Sequence, residues 1–551
     1  MITMTDSEAD TPIQTQLAKD YCQLPPLDQK IVQLFSVIYE PINRTSFMGC
    51  LNQIGALDEN NKPFVNKTLS RHIDGLLAAG LLVQSSGQGP QCHPLLIEIA
   101  TRDAVRTGRF EILAAAVEEK LPIRVHWQNG PRYFQNERQF IREVRIGLYS
   151  QNLSFINKQI EDYNRYNNSK DKISIENIFE QVCSNPFDAD WFRSLPQELY
   201  DSCISIILIN AALKCSPADE AFALLQEECS TPGGHSSDYL HLILTEQLLL
   251  RGCIQEAQQS LECLSDDYRD NAAVYKGWLN FLRGDNQQAI ADCTTGLKSL
   301  RKATGKRQMY FSTIGGLFFI LALLKDGSRD HLTEALDYTS LLARQSDHWL
   351  RPIYVQLKIL LQVQLGDIAQ KEFIISNRIL FPEEHNSLET LFFSLCHYWV
   401  DADRAKKHLP KLLEQLYPQA VKSSYHWLAM ETAELLSRIK PHSSYETQAE
   451  ILRADIGIES IVDLMRPQES WELCLKALAN LQKEPQPPGK IQAEQRFAWF
   501  ITFYPSKCIL QPREQKVNAK GEWSKGRPIA IKRLSGNLGE FDYLTPQGKR
   551  I

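Results

Sequence analysis

The sequence has no Cys-x-x-Cys pair, no phosphate-binding glycine loop, no apolar stretch of bilayer length and no excess of positive charge. Each absence removes a class of function. Thirteen cysteines are present but scattered singly. Cys203, Cys253, Cys263, Cys293 and Cys474 fall within helical apolar patterns and read as reduced core thiols. Cys92 and His93 are adjacent but lack a second ligand pair at finger spacing, so no structural metal is expected. The closest approach to a phosphate loop, "ATGKRQ", lacks the first glycine and carries Arg307 where a magnesium-binding hydroxyl belongs. Asp-Glu-x-His, His-Glu-x-x-His, Gly-x-Ser-x-Gly and Gly-x-Gly-x-x-Gly are also missing, and "PEEH" at Pro382 to His385 reads as a helix start. No catalytic residue and no cofactor site is expected.

The longest apolar run, "IGGLFFILALL" from Ile314 to Leu324, stops at Lys325, well short of the ~20 residues a span requires. It reads as a buried helix. The amino-terminal "MITMTDSEADTPIQTQ" has no basic start followed by an apolar core, so the expected location is the cytoplasm. A formal charge of -6, with 23% charged residues, gives no overall attraction to nucleic acid. Any DNA contact must come from a local patch.

The length of 551 residues is too great for one ordinary core and implies roughly three or four units. After a flexible amino terminus (1–24), residues 25–120 carry the pattern of a winged helix. Leu27, Ile31, Leu34, Phe35 and Ile38 form the stripe of an amphipathic helix from Pro26 to Tyr39, ended by Pro41. A second helix is expected from Thr45 to Ile54, capped by Thr45 or Ser46. In a third, from Asn66 to Ala79, Leu69, Ile73, Leu76 and Leu77 share one face, and Gly80 terminates it. The turn-rich "SSGQG" between short extended pieces then reads as a two-stranded wing.

Two readings of the third helix stand side by side. In one it enters a DNA groove, with Asn66, Lys67, Ser70 and Arg71 on phosphates or base edges. In the other it is a protein-docking winged helix. The charge favours the second, because Asp74 offsets Lys67 and Arg71, and the wing from Gln84 to Gln91 has no lysine or arginine.

A helical connector (121–195) leads into a mainly helical stretch (196–482) with an internal register. Gly252 precedes Ala257 by five residues and Gly284 precedes Ala289 by five, with about 32 residues between units. Gly277 and Gly296 put small residues where paired helices cross, and Gly327 and Gly366 mark further turns. The pattern resembles the tetratricopeptide repeat, so an α-solenoid is expected, with a concave surface for a protein partner. Trp278, Tyr338, Trp349, Trp399 and Trp427 belong either to that surface or to the core, and aromatics at helical spacing favour the core.

The last part (483–551) changes character. A proline-rich linker, "ANLQKEPQPPGK", precedes three strand-like stretches, "RFAWFITFYP", "CILQPREQKV" and "RPIAIKRL". Basic residues gather here: Lys516, Lys520, Lys525, Arg527, Lys532 and Arg533, with Trp523 among them. The segment reads equally as a ribbon tracking a nucleic-acid backbone and as a solvated edge whose lysines discourage strand pairing.

"CHPLLIEIATRDAVRTGRFEILAAAV", "EQKVNAKGEWSKGRPIAIKRL" and "DYLTPQGKRI" together resemble the amino-terminal region of large bacterial Swi/Snf-type helicase-like ATPases. The resemblance implies a mainly α fold, in which a winged helix and helical repeats precede a small β-rich segment and then a two-lobed translocase. It also implies a non-catalytic role, with ATP and magnesium bound only in the ATPase part, in the same polypeptide or a separate chain. On this reading the chain is an amino-terminal fragment and does not hydrolyse ATP alone. The alternative is a stand-alone winged-helix transcriptional regulator or interaction scaffold.

Overall fold

The computed structural model describes residues 7–125, 130–166, 174–231, 237–345, 348–367 and 386–465, together with the backbone of 495–504, 507–516 and 527–528. The chain is mainly helical and divides into two compact units, Met1–Asn210 and Ala211–Ile551. No described helix is long and apolar enough to cross a membrane.

The first unit opens with α1 (Ser7–Cys22), α2 (Pro26–Ile38), α3 (Arg44–Gln53) and α4 (Asn66–Ala78), followed by the hairpin β1 (Leu82–Val83) and β2 (Gln91–Cys92). Then come α5 (Ile97–Arg106), α6 (Phe110–Lys120), the hairpin β3 (Arg124–Val125) and β4 (Arg132–Tyr133), α7 (Glu137–Tyr149), α8 (Leu153–Tyr166), α9 (Ile175–Ser184), α10 (Ala189–Arg193) and α11 (Gln197–Lys214), which crosses the division between units. Helices α2 and α4 lie within a residue of the expected bounds. Tyr39 ends α2 in a left-handed conformation, one of the few positions where a bulky residue adopts it.

Three expectations are corrected. Within the stretch 1–24, expected to be flexible, residues 7–22 form α1, which buries Leu17 and Tyr21; the Tyr21 hydroxyl donates to Asp103 at 2.5 Å, and Gln14 donates to the Leu95 carbonyl. Its apolar residues are too few to show a stripe. The cap of α3 is Asn43, whose side chain accepts from the Ser46 N–H at 2.8 Å, with the helix starting one residue before Thr45. The connector also holds a short hairpin, β3–β4, where only helices are expected.

The second unit begins with helical hairpins in tandem: α12 (Asp219–Ser230), α13 (Asp238–Arg251), α14 (Ile254–Glu262), α15 (Arg269–Leu282), α16 (Asn286–Thr304), α17 (Ile314–Asp326), α18 (Arg329–Leu342) and α19 (Arg351–Leu365). Gly252, Gly284, Gly327 and Gly366 each take a positive φ in the turn after a helix, which is why glycine recurs there. Gly277 serves close approach: a Cβ on it would lie 2.2 Å from Cys293 Sγ across the α15–α16 crossing. The run Ile314 to Leu324 is buried at every position of α17.

After the described gap come α20 (Ser387–Val400), α21 (Ala402–His408), α22 (Pro410–Lys422), α23 (His426–Ile439), α24 (Ser444–Ile456) and α25 (Ile461–Leu464). Here the expected open concave surface is corrected. Helix α23 packs on α13 and α20, and Trp427 meets Phe318 of α17 at 5.5 Å and Trp278 of α15 at 6.4 Å. The face formed by the first helices of successive hairpins is therefore filled by a later helix. Trp278, Tyr338 and Trp427 are core residues, each fully buried, while Trp349 and Trp399 are half-buried. Two serines fasten the closure: Ser387 Oγ donates to the Ala212 and Leu213 carbonyls, and Ser423 Oγ to the Cys215 carbonyl.

The carboxyl-terminal strands are β5 (Gln495–Tyr504), β6 (Lys507–Lys516) and β7 (Arg527–Pro528), an antiparallel sheet in that order. They coincide with the three strand-like stretches of the sequence, although β7 is short. The linker and Pro382 to His385 lie outside the described residues.

Candidate functional site

Helix α4 is amphipathic because its apolar residues recur at three and four. Leu69, Ile73 and Leu76 are buried, while Asn66, Lys67, Arg71 and Asp74 are exposed. Its start is fixed by neighbours: the Asn52 side chain accepts from the Phe64 N–H at 3.0 Å and donates to the Phe64 carbonyl at 3.3 Å. Thr68 Oγ1 accepts from the Val65 N–H at 3.2 Å. On its flank, His72 Nδ1 lies 2.6 Å from Asp28 of α2.

The sequence shows Asp74 as the counter-charge to Lys67 and Arg71. The geometry gives it to Arg44, the first residue of α3. Arg44 Nη2 lies 2.6 Å from Asp74 and Nη1 donates to Ser70 Oγ at 2.8 Å. Ser70 is thus half-buried and engaged, Arg71 reaches only Glu59 at 3.9 Å, and Asn66 and Lys67 project into solvent. Arg44 escaped sequence reasoning because it stands alone before a weakly amphipathic helix.

The β1–β2 hairpin is held close to the segment between α2 and α3. The Ile42 N–H donates to the Pro90 carbonyl at 3.2 Å, and a Cβ on Gly89 would lie 2.1 Å from the Ile42 oxygen. Only glycine permits that approach. Gln84 closes the hairpin loop by donating to the Gln88 carbonyl at 2.8 Å.

Beneath this face lies a buried ionic core. Arg145 of α7 meets both Glu98 oxygens of α5, at 2.9 and 3.0 Å, and donates to the Ser36 carbonyl of α2 and to Thr101 Oγ1. The Tyr149 hydroxyl adds a 2.6 Å bond to Glu98. Burial alone would lower the Arg145 pKa, but the Glu98 carboxylate outweighs it and holds the guanidinium charged. Arg142 pairs with Glu40 at 2.7 Å and Glu143 at 3.0 Å, and donates to the Leu121 carbonyl. These contacts weld α2, α5 and α7 into one core, so the span 25–120 and the connector after it share a compact unit.

In the second unit, two inner carboxyls cap later helices. Glu431 of α23 accepts from the Ile461 N–H at 2.9 Å and from Ser460 Oγ at 3.0 Å, at the start of α25. Burial raises its pKa to about 8, against the lowering effect of those donors. Glu246 of α13 is raised to about 7, chiefly by burial, although the Ile314 N–H and the Tyr275 hydroxyl bond to it. A cleft of about 540 Å³ lies on α14, α15 and α16, lined in comparable measure by polar residues such as Lys276 and Asp292 and apolar ones such as Leu261 and Leu279.

Of the basic carboxyl-terminal candidates, Lys516 ends β6 opposite Gln495, and Arg527 opens β7 opposite Glu514. Lys520, Trp523, Lys525, Lys532 and Arg533 lie outside the described residues. Among the described residues no group of three or more His, Cys, Asp or Glu side chains is placed to hold a metal ion. Comparison of the chain with known protein families, with curated proteins and with solved structures finds no match.

Proposed function

We propose that this chain is the non-catalytic interaction region of a Swi/Snf-type DNA-translocating helicase-like ATPase, acting in the cytoplasm. Its first unit carries a winged helix and its second tetratricopeptide-like hairpins. The observation that carries the first assignment is the order helix, helix, helix, hairpin over α2, α3, α4 and β1–β2, with the Ile42 N–H between the first two helices bonded to the Pro90 carbonyl beside β2. The recurrent αL glycine turns and the Gly277 crossing support the second.

The mechanism is tethering and orientation. Helix α4 recognises a protein partner, DNA or both, and the hairpins form the scaffold. With the inner face occupied by α23, a concavity offered to a partner is the cleft on α14 to α16. The basic β segment couples recognition to the ATPase, which alone binds ATP and magnesium.

The test is a fluorescence-anisotropy titration of the whole chain against random-sequence duplex and single-stranded DNA over a salt series. A steep salt slope that disappears on neutralising Lys520, Lys525, Arg527 and Lys532 assigns the DNA contact to the β segment. A slope unchanged in Lys525→Ala plus Arg527→Ala removes that role. No binding at low salt leaves a protein-docking region.

A further inference from the structure

We infer that the exposed face at the start of α4 docks an acidic, apolar-anchored segment of a partner protein; this rests on the winged-helix reading and commits that helix to protein over DNA. The face is built on a rigid turn. The Asp58 carboxylate accepts from the Asn60 and Lys62 N–H groups at 2.8 and 3.0 Å, the Asp58 N–H donates to the Lys62 carbonyl at 2.8 Å, and Leu57 bridges to Pro63. The Asn52 clamp then fixes Phe64. This frame holds Leu57 and Val65 in water, 44% and 56% exposed. Both aliphatic side chains are thus presented on an ordered backbone and not on a loose loop.

Three exposed cations, Lys62, Lys67 and Arg71, lie on the turn and helix that carry the two apolar residues, against two exposed carboxylates, Glu59 near Arg71 and Asp74 paired with Arg44. That rim complements aspartate or glutamate flanking an aliphatic or aromatic anchor. The same inventory suits DNA poorly. Arg44 is engaged with Ser70 and Asp74, and the wing carries no cation. Val65 stands immediately before the first turn of α4, where a groove-inserted helix meets phosphate. Three cations neutralise few phosphates, and affinity from counterion release scales with that number.

The experiment selects a phage-displayed library of random peptides, about 16 residues long, on the whole chain and in parallel on Val65→Ser plus Lys67→Glu. Both changes are on the surface, and an unchanged thermal unfolding curve verifies the fold. The expected result is enrichment of peptides with Leu, Ile, Phe or Trp flanked by Asp or Glu. Their synthetic copies then bind the parent at least about tenfold tighter than the variant. No enrichment, enrichment without acidic residues, or binding indifferent to the variant overturns the inference. A duplex-DNA titration separates the two levels. If Lys67→Glu plus Arg71→Glu weakens DNA binding while no peptide is selected, the helix reads DNA: this inference fails and the winged-helix reading stands. If neither ligand responds to these changes, both fail.

Discussion

The two units bury carboxylates in opposite ways. In the first, Glu98 and Glu143 each face an arginine on α7 and the charges cancel within hydrogen-bond distance. In the second, Glu246 and Glu431 meet neutral donors, a tyrosine or serine hydroxyl and a helix amide, and burial raises their pKa values to about 7 and about 8. The first arrangement is sensitive to loss of a partner, because an unpaired buried ion is costly. The second is sensitive to pH, because the cost appears only on ionisation.

The comparison breaks most sharply at its ion pairs. Glu98→Ala leaves Arg145 buried and unpaired and is expected to cost about 3–5 kcal/mol, read as lost hydrogen-exchange protection in α5 and α7 and a lower urea midpoint. Trp427→Ala, which empties the contact with Phe318 and Trp278, is expected to cost a similar ~3–5 kcal/mol by the apolar route. Its exchange signature should fall on α13, α15, α17 and α23, leaving α5 and α7 protected.

Glu431→Gln sharpens the comparison through pH. The folded pKa is raised to about 8, so the native state keeps a proton that the unfolded chain releases once pH exceeds the ordinary carboxylate range. The stabilising contribution is complete below that range and is lost as pH climbs towards 8. The glutamine variant keeps an oxygen for the Ile461 N–H and cannot ionise. Its free energy of unfolding should match the parent's at pH 4 and exceed it at pH 8 by on the order of 1–3 kcal/mol, read from urea midpoints. Equal pH profiles for parent and variant would show that Glu431 does not hold its proton.

Two smaller effects complete the series. Arg44→Ala removes a partly exposed pair and should cost less than about 1 kcal/mol, measurable by chemical denaturation, while releasing Ser70 and Asp74. Thiol labelling in native buffer should proceed at Cys22 and Cys263, the exposed cysteines among the described residues, and spare Cys183, Cys203, Cys293 and Cys396, which are buried. Mass-spectrometric mapping reads the difference, and early modification of Cys396 would contradict the closed core of the second unit.

Much of this was legible in sequence where one periodicity dominated. The stripes of α2 and α4, the glycine turns after α13 and α15, and the three carboxyl-terminal strands all follow from spacing and residue type. Arg142 and Arg145 were not legible, because an arginine in a helical pattern reads as solvent-facing until its carboxylate partner, distant in sequence, is placed beside it. The filling of the inner face was half-visible. Helix α17 is apolar on nearly every side, a composition that an open solenoid, wet along one face, does not require, whereas α13 and α23 carry polar residues such as Glu246 and Glu431 whose burial the sequence does not show. The sequence pointed to Asn66, Lys67, Ser70 and Arg71 of α4 and to the basic carboxyl-terminal segment from Lys516 to Arg533. The rim beside α4 from Leu57 to Lys62 was missed because turn residues carry no period.

The serine ties at Ser387 and Ser423 also impose a schedule on synthesis. They reach carbonyls 175 and 208 residues earlier in the chain. At ribosomal rates, those carbonyls emerge roughly 10 to 40 s before the second serine is made. From the time each is made until then, the apolar faces of α13, α15 and α17 await the helix that covers them. The second unit is therefore the portion whose yield should depend on chaperone supply and on the pace of elongation between α12 and α23.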